Sequence, residues 1–121
     1  MLNKPYILLV DDDVSSQLTV SKFLQEDFEF EFINNYAHDC LISMLKRLPD
    51  LIILGRHIYL YNGRTTHEIL RSKNEYQAIP IVSIGTEIPE SENDRYIPMP
   101  FDKDSLLTEI KQLLSNKLGQ K

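Results

Sequence analysis

Two uninterrupted apolar runs, each about the length of a strand, lie in the first half of the chain. Tyr6–Val10 leads into three consecutive aspartates that begin at Asp11, and Leu51–Leu54 leads directly into Gly55. Apolar runs of this length that end at turn signals indicate strands buried on both faces, as in a parallel sheet. Open α/β sheets bind their ligands beyond the carboxyl ends of the strands. The residues that follow the two runs are therefore the first candidates for a functional site.

Around these runs, the spacing of apolar residues alternates between the periods of strands and helices. In residues 28–33, Phe28, Phe30 and Phe32 alternate with two glutamates, which is the period of a half-buried edge strand. Further strands are predicted at 80–84 and 96–97, and helices at 14–26, 37–48, 64–73 and 103–118. The second helix is predicted to bury Cys40, Leu41, Met44, Leu45 and Leu48. This alternation indicates a parallel sheet covered on both faces, in one domain over residues 1–121 with residues 119–121 frayed.

The connection between the last two predicted strands is too short for a helix of ordinary length. Residues 86–95 contain four acids, Pro89 and hardly any apolar residue. A parallel crossover normally needs about a dozen residues or more. We therefore expect the helix of this connection to be missing or reduced to a single turn, with a loop in its place.

Composition and charge exclude several classes of protein. Hydrophobic residues make up 42% and charged residues 26% of the chain, as in ordinary globular domains. The net charge of −5 offers no basic surface for nucleic acids or anionic membranes. No apolar segment approaches the roughly 18 residues that span a bilayer. The single cysteine, Cys40, excludes an internal disulfide and is typical of a reducing compartment, so we expect a cytoplasmic protein with no nucleic-acid or membrane partner.

The three aspartates after the first strand are candidates for different roles. Asp13 is predicted to cap the following helix, because aspartate is a preferred N-cap residue. Asp11 and Asp12 are adjacent in the chain, so their mutual repulsion must be relieved by a cation, by a shift in protonation or by water. We interpret this pair as what remains of a functional site.

Five short motifs follow one another in a characteristic order across nearly the whole chain. They are ILLVDDD at the first strand, LPDLIIL at the third, Asn62-Gly63, IPIVSIG at the fourth, and RYIPMPFD before the last helix. This pattern resembles the receiver domain of response regulators, the module of bacterial two-component phosphorelay signalling. The resemblance implies a flavodoxin-like, doubly wound α/β fold whose five-stranded parallel sheet has the order 2-1-3-4-5. The helix missing after the fourth strand is the fourth helix of the family.

The chain departs from the family at three positions that carry the chemistry of the switch. The phosphoacceptor aspartate at the end of the third strand corresponds to Gly55, which has no side chain and cannot form an acyl phosphate. The hydroxyl residue at the end of the fourth strand corresponds to Gly85, and the conserved lysine of the family corresponds to Met99. The resemblance therefore implies a degenerate receiver that lacks its phosphorylation site.

Other family positions keep side chains that permit more than one role. Asp11 and Asp12 match the magnesium-binding acids, but without a ligand at Gly55 we expect weak binding of Mg²⁺ at most, and no other cofactor. His57 and Glu87 flank the pocket, and they either form a new polar site with the acids or are simply solvated. Tyr96 matches the switch aromatic of the family and is predicted to pack in the core or to make a fixed contact.

These features predict an atypical pseudo-receiver that acts by phosphorylation-independent protein–protein interaction and is not an enzyme. A candidate contact surface is the apolar loop Ile58, Tyr59, Leu60 and Tyr61, which alternatively folds back over the vacated pocket. The expected partner is a protein of a signalling pathway. Loss of a helix that usually forms the dimer surface favours a monomer. The alternative function is a small-molecule sensor that uses the vacated acidic pocket.

Overall fold

A computed structural model describes residues 4–33, 37–55 and 64–119 of the chain, with side chains as far as residue 116. The strands are β1 (Tyr6–Val10), β2 (Glu29–Ile33), β3 (Leu51–Leu54), β4 (Ile81–Ile84) and β5 (Asp94–Ile97). The helices are α1 (Val14–Leu24), α2 (Ala37–Lys46), α3 (Thr66–Arg71) and α4 (Lys103–Gly119), with a short 3-10 helix at Asn74–Tyr76. None of the helices in the described ranges is long and apolar enough to cross a bilayer.

The five strands form one parallel sheet in the order β2-β1-β3-β4-β5. This order confirms the flavodoxin-like topology expected from the sequence. The interior strands β1 and β3 are buried along their whole length, as their unbroken apolar runs predicted. At the edge, β2 has exposed glutamates and a Phe30–Phe32 ring contact at 5.5 Å. A sheet of this kind places the carboxyl ends of all its strands at one edge.

Successive residues of the central strands point into two separate cores. Ile7 and Leu9 pack in the core beneath α1 and α4, whereas Leu8 and Val10 pack in the core beneath α2 and α3. This alternation is the strand period of two, applied to a strand that is buried on both faces. The domain is therefore a three-layer sandwich of helices, sheet and helices.

Helix ends and burial differ in places from the sequence expectation. Asp13 caps α1 as predicted, because its Oδ2 accepts a hydrogen bond of 2.9 Å from the Ser16 amide. In α2, however, the predicted burial of Leu45 and Leu48 is wrong, since their exposed fractions are 80% and 58%. Leu48 lies beyond the end of α2, and Leu45 is one residue, or about 100° of rotation, past the buried Met44.

The crossover segment, which we define as residues 85–93 between β4 and β5, contains no helix. This absence confirms the expectation from its length and composition. Ile88 of the segment packs against the core beneath α2 and α3. The segment therefore contacts this core as a loop, through the Ile88 side chain.

Candidate functional site

The carboxyl ends of β1, β3 and β4 meet at one edge of the sheet. Because Val10 pairs with Leu54, and Leu54 pairs with Ser83, the residues that follow these strands lie close together. Asp11 follows β1 and Gly55 follows β3, and the Gly55 amide donates to the Val10 carbonyl at 2.8 Å. The structure thus brings together two positions that the sequence singled out, Asp11 and Gly55.

The carboxylate of Asp11 occupies the space that a side chain at position 55 would need. A Cβ atom built on Gly55 would lie 2.3 Å from Cγ of Asp11, and 2.4 and 2.7 Å from its carboxylate oxygens. Real Cβ atoms essentially never approach other atoms to less than 3.0 Å. Asp11 is only 5% exposed, and its Oδ1 accepts a hydrogen bond of 2.9 Å from the Asp13 amide. No side chain fits at position 55 while Asp11 keeps this conformation.

Gly85, which corresponds to the hydroxyl residue of the family, lies in a turn that requires glycine. Its φ angle is 77°, in the left-handed region that β-branched residues such as threonine rarely adopt. The hydroxyl of Ser83, two residues earlier, donates a hydrogen bond of 2.6 Å to the Thr86 carbonyl. Ser83 is buried, and its hydroxyl closes the turn around Gly85.

Met99, which corresponds to the family's lysine, presents apolar surface at the same edge. The side chain is 44% exposed, and it lines a cavity of about 230 Å³ together with Asp11, Asp13 and Phe101. A thioether carries no charge and is only a weak hydrogen-bond acceptor. Met99 therefore brings no positive charge to the described part of this edge.

The Asp11 carboxylate, which the sequence assigned to a remnant magnesium site, is already engaged inside the protein. Magnesium requires near-octahedral oxygen ligands, usually one or two carboxylates with several waters. Asp11 is turned into the space beside Gly55, and its Oδ1 is taken by the Asp13 amide. Among the described residues, no group of three or more His, Cys, Asp or Glu side chains could hold a metal ion.

The remaining residues that the sequence singled out are only partly brought to this edge. Glu87 is exposed and lines a cavity that also includes Gly55. Tyr96 is half-buried outside both cores, and its backbone amide donates to Oε2 of Glu90 at 3.2 Å. His57 and the apolar loop Ile58, Tyr59, Leu60 and Tyr61 lie outside the described residues.

The sequence analysis missed an ion-pair cluster that joins α3 to the start of β5. Arg71 of α3 donates to Asp94 at the start of β5, with 2.7 Å between Nη2 and Oδ1 and 3.0 Å between Nε and Oδ1. The same guanidinium donates to the carbonyls of Tyr76 at 3.0 Å and Ile79 at 2.8 Å. His67 Nε2 lies 3.2 Å from Oδ1 of Asp94, at the distance of an ion pair but out of line for a hydrogen bond.

The pKa of Asp94 shows that its neighbours outweigh the cost of its burial. Burial raises the pKa, but His67, Arg71 and the Ser91 hydroxyl favour the carboxylate and together hold the pKa well below its usual range. The sequence placed Asp94 among the four acids of the connection before a strand predicted at 96–97, whereas β5 begins at Asp94 itself. Its partner is 23 residues away in the chain, so the pairing itself was not predictable.

Sequence comparison finds two-component proteins among the relatives of this chain. It is 33% identical over 116 residues to the transcriptional regulatory protein CpxR of Escherichia coli K12, covering 89% of this chain and 48% of CpxR. It is 25% identical over 126 aligned positions to the sensor histidine kinase TmoS of Ectopseudomonas mendocina, covering 97% of this chain and 13% of TmoS. The chain therefore spans about half the length of CpxR and a small part of TmoS.

Structural comparison gives the same fold. The signal receiver domain of a signal transduction histidine kinase from Syntrophus aciditrophicus superposes with a TM-score of 0.78 at 21% identity, covering 93% of this chain and 91% of that domain. No protein-family model matches the sequence.

Proposed function

Because the chain has the fold of a response-regulator receiver domain, and response regulators are among its relatives, we propose that it is an atypical receiver of two-component signalling. In this proposal it acts by binding a protein partner of the pathway, without phosphorylation and without enzymatic activity. We also propose that it works in the cytoplasm as a monomer.

The observation that carries this proposal is the fit of Asp11 against Gly55. An aspartyl phosphate at the end of β3 needs a carboxylate on residue 55, and the space next to that backbone contains the Asp11 carboxylate instead. The uncharged Met99 and the left-handed Gly85 support the same conclusion, since neither supplies a group that would stabilise a phosphoryl oxygen.

Exposed apolar side chains close to this edge support a protein partner. Val14 and Leu18, one turn apart at the start of α1, are 65% and 56% exposed. Met99 adds further apolar surface at the carboxyl ends of the strands. Val14 and Leu18 thus form a small apolar patch on α1 that is available to a protein partner. The loop from Ile58 to Tyr61 stays a predicted contact surface.

The test is exposure of the purified protein to acetyl phosphate and Mg²⁺, followed by intact mass measurement and amide-resolved NMR. We expect no phosphoryl adduct and no saturable change at the amides of Asp11, Asp12, Gly55 or Gly85. A receiver that contains the phosphoacceptor aspartate, treated in parallel, serves as the positive control for the reagent. An adduct that maps to Asp11 or Asp12 would contradict the proposal and identify a working acceptor.

A further inference from the structure

A cavity of about 560 Å³ lies between α3 and the crossover segment. Its floor is formed by the ends of β3 and β4, including Leu54 and Ser83, and one wall by Ile88 and Pro89 of the crossover segment. Its volume is in the range of 300–1,000 Å³ that is usual for pockets binding small molecules. The space is distinct from the one beside Gly55 that Asp11 fills, although Gly55 borders both.

Most of the buried polar groups that line this cavity already have partners inside the protein. Arg71 is paired with Asp94, and the Ser83 hydroxyl is bonded to the Thr86 carbonyl. Thr66 lies in the wall with 5% of its surface exposed. Among the described residues, a ligand therefore meets apolar side chains, a few hydroxyl groups and the His67 imidazole, whose Nε2 has no hydrogen-bond partner, while the Arg71 guanidinium is already paired.

The fixed charges around the cavity favour a positively charged ligand. The exposed Glu68 and Glu87 both line it, and the Asp11 carboxylate lies on the other side of Gly55. The pKa of Glu68 is lowered, chiefly by its hydrogen bonds with Thr65, so this side chain is charged at neutral pH. Among the described residues, Arg64 also lies near Glu68, and its guanidinium donates to the Glu68 carbonyl at 3.3 Å. The two exposed ionised side chains in the described lining of the cavity are both carboxylates.

We propose that this cavity binds a small organic cation, an amine with an apolar, ring-sized body. The apolar body would contact Leu54, Ile88 and Pro89, while the ammonium group stays at the entrance near Glu68 and Glu87. Because the cavity is bounded by α3 on one side and the crossover segment on the other, a bound ligand contacts both. This proposal does not depend on whether the protein is phosphorylated.

The test is an amide-resolved NMR titration at pH 7 with three probes of matched size: 2-phenylethylamine, 2-phenylethanol and phenylacetate. We expect saturable shifts at the amides of Thr66, Ser83 and Ile88 with the amine, weaker shifts with the alcohol and none with the carboxylate. Failure of the amine to produce saturable shifts at these amides, or equal shifts with the carboxylate, would overturn the proposal.

Two charge-reversal variants separate local attraction from the overall charge of the protein. Glu87→Lys changes an exposed residue that lines the cavity, and we expect about two- to fivefold weaker binding of 2-phenylethylamine. Glu75→Lys changes the net charge equally at an exposed position in the 3-10 helix, away from the cavity lining, and should leave the affinity unchanged. Equal weakening by both variants would show non-specific attraction and refute the assigned site.

Discussion

Replacing Gly55 with alanine tests the central contact of the edge, the fit of Asp11 against residue 55. The backbone of Gly55 does not have a positive φ, so alanine is tolerated by the chain itself. The added Cβ would lie 2.3 Å from Cγ of Asp11, and the carboxylate must therefore move. Asp11 then loses the hydrogen bond from the Asp13 amide, which at a charged acceptor contributes about 1.5–3 kcal/mol.

The net loss of stability is smaller than the contribution of this hydrogen bond, because alanine also restricts the conformations of the unfolded chain. That restriction stabilises the folded state by about 0.4–1 kcal/mol. We therefore expect Gly55→Ala to lower the free energy of unfolding by about 0.5–2.5 kcal/mol. The measurement is urea denaturation followed by far-UV circular dichroism, with all variants compared at the same pH.

The matched control is the same change in an Asp11→Ala background. Without the Asp11 carboxylate, Gly55→Ala should cost nothing or should stabilise slightly. The difference between the two backgrounds is the coupling energy of the pair, which we expect to exceed about 1 kcal/mol. If Gly55→Ala is as stable as the unmodified protein, or costs the same in both backgrounds, the assigned position of Asp11 is wrong.

Three further changes test other contacts of the fold. The folded-state pKa of Asp94 is depressed, so its stabilisation is present above its unfolded pKa of about 3.9 and is lost as the pH falls below that value. Asp94→Asn should therefore lower the free energy of unfolding by about 2–4 kcal/mol at pH 7. The variant should also show a smaller decline of this free energy between pH 4 and pH 2, as measured by urea denaturation across that range. If the decline is the same as in the unmodified protein, Asp94 is not its source. Gly85→Ala should cost about 1–2 kcal/mol in urea denaturation, because φ at this position is 77°, and equal stability would contradict the left-handed turn. Asp13→Ala should cost about 1 kcal/mol in the same assay, with Asp13→Asn as the control that keeps the cap.

Much of the fold could be predicted from local patterns along the sequence. The buried runs of β1 and β3, the cap at Asp13 and the missing helix of the crossover segment each depend on residues close together in the chain. The strand order came from the resemblance to receivers, because no local pattern determines which strands become neighbours. The predicted burial of Leu45 was wrong because an apolar residue one position past a buried one lies well round the helix, on its exposed side.

The geometry of the site was harder to predict, because it depends on residues far apart in the sequence. Sequence reasoning treated Asp11 as an acid facing a vacated pocket, whereas the structure places its carboxylate in the space that Gly55 leaves. A glycine gives no information about which neighbour will use that space. The pairing of Arg71 with Asp94 was missed for a similar reason, since it joins two elements that become neighbours only in the folded sheet.

The contact between Asp11 and Gly55 also has a consequence for how this sequence can change over generations. Any mutation that adds a side chain at position 55 first produces a less stable protein, because Asp11 is in the way. A change at Asp11 must come before it for the same step to be neutral. An aspartate at position 55 alone would place a second carboxylate against that of Asp11, so the order in which the two positions change affects the stability of the intermediate protein.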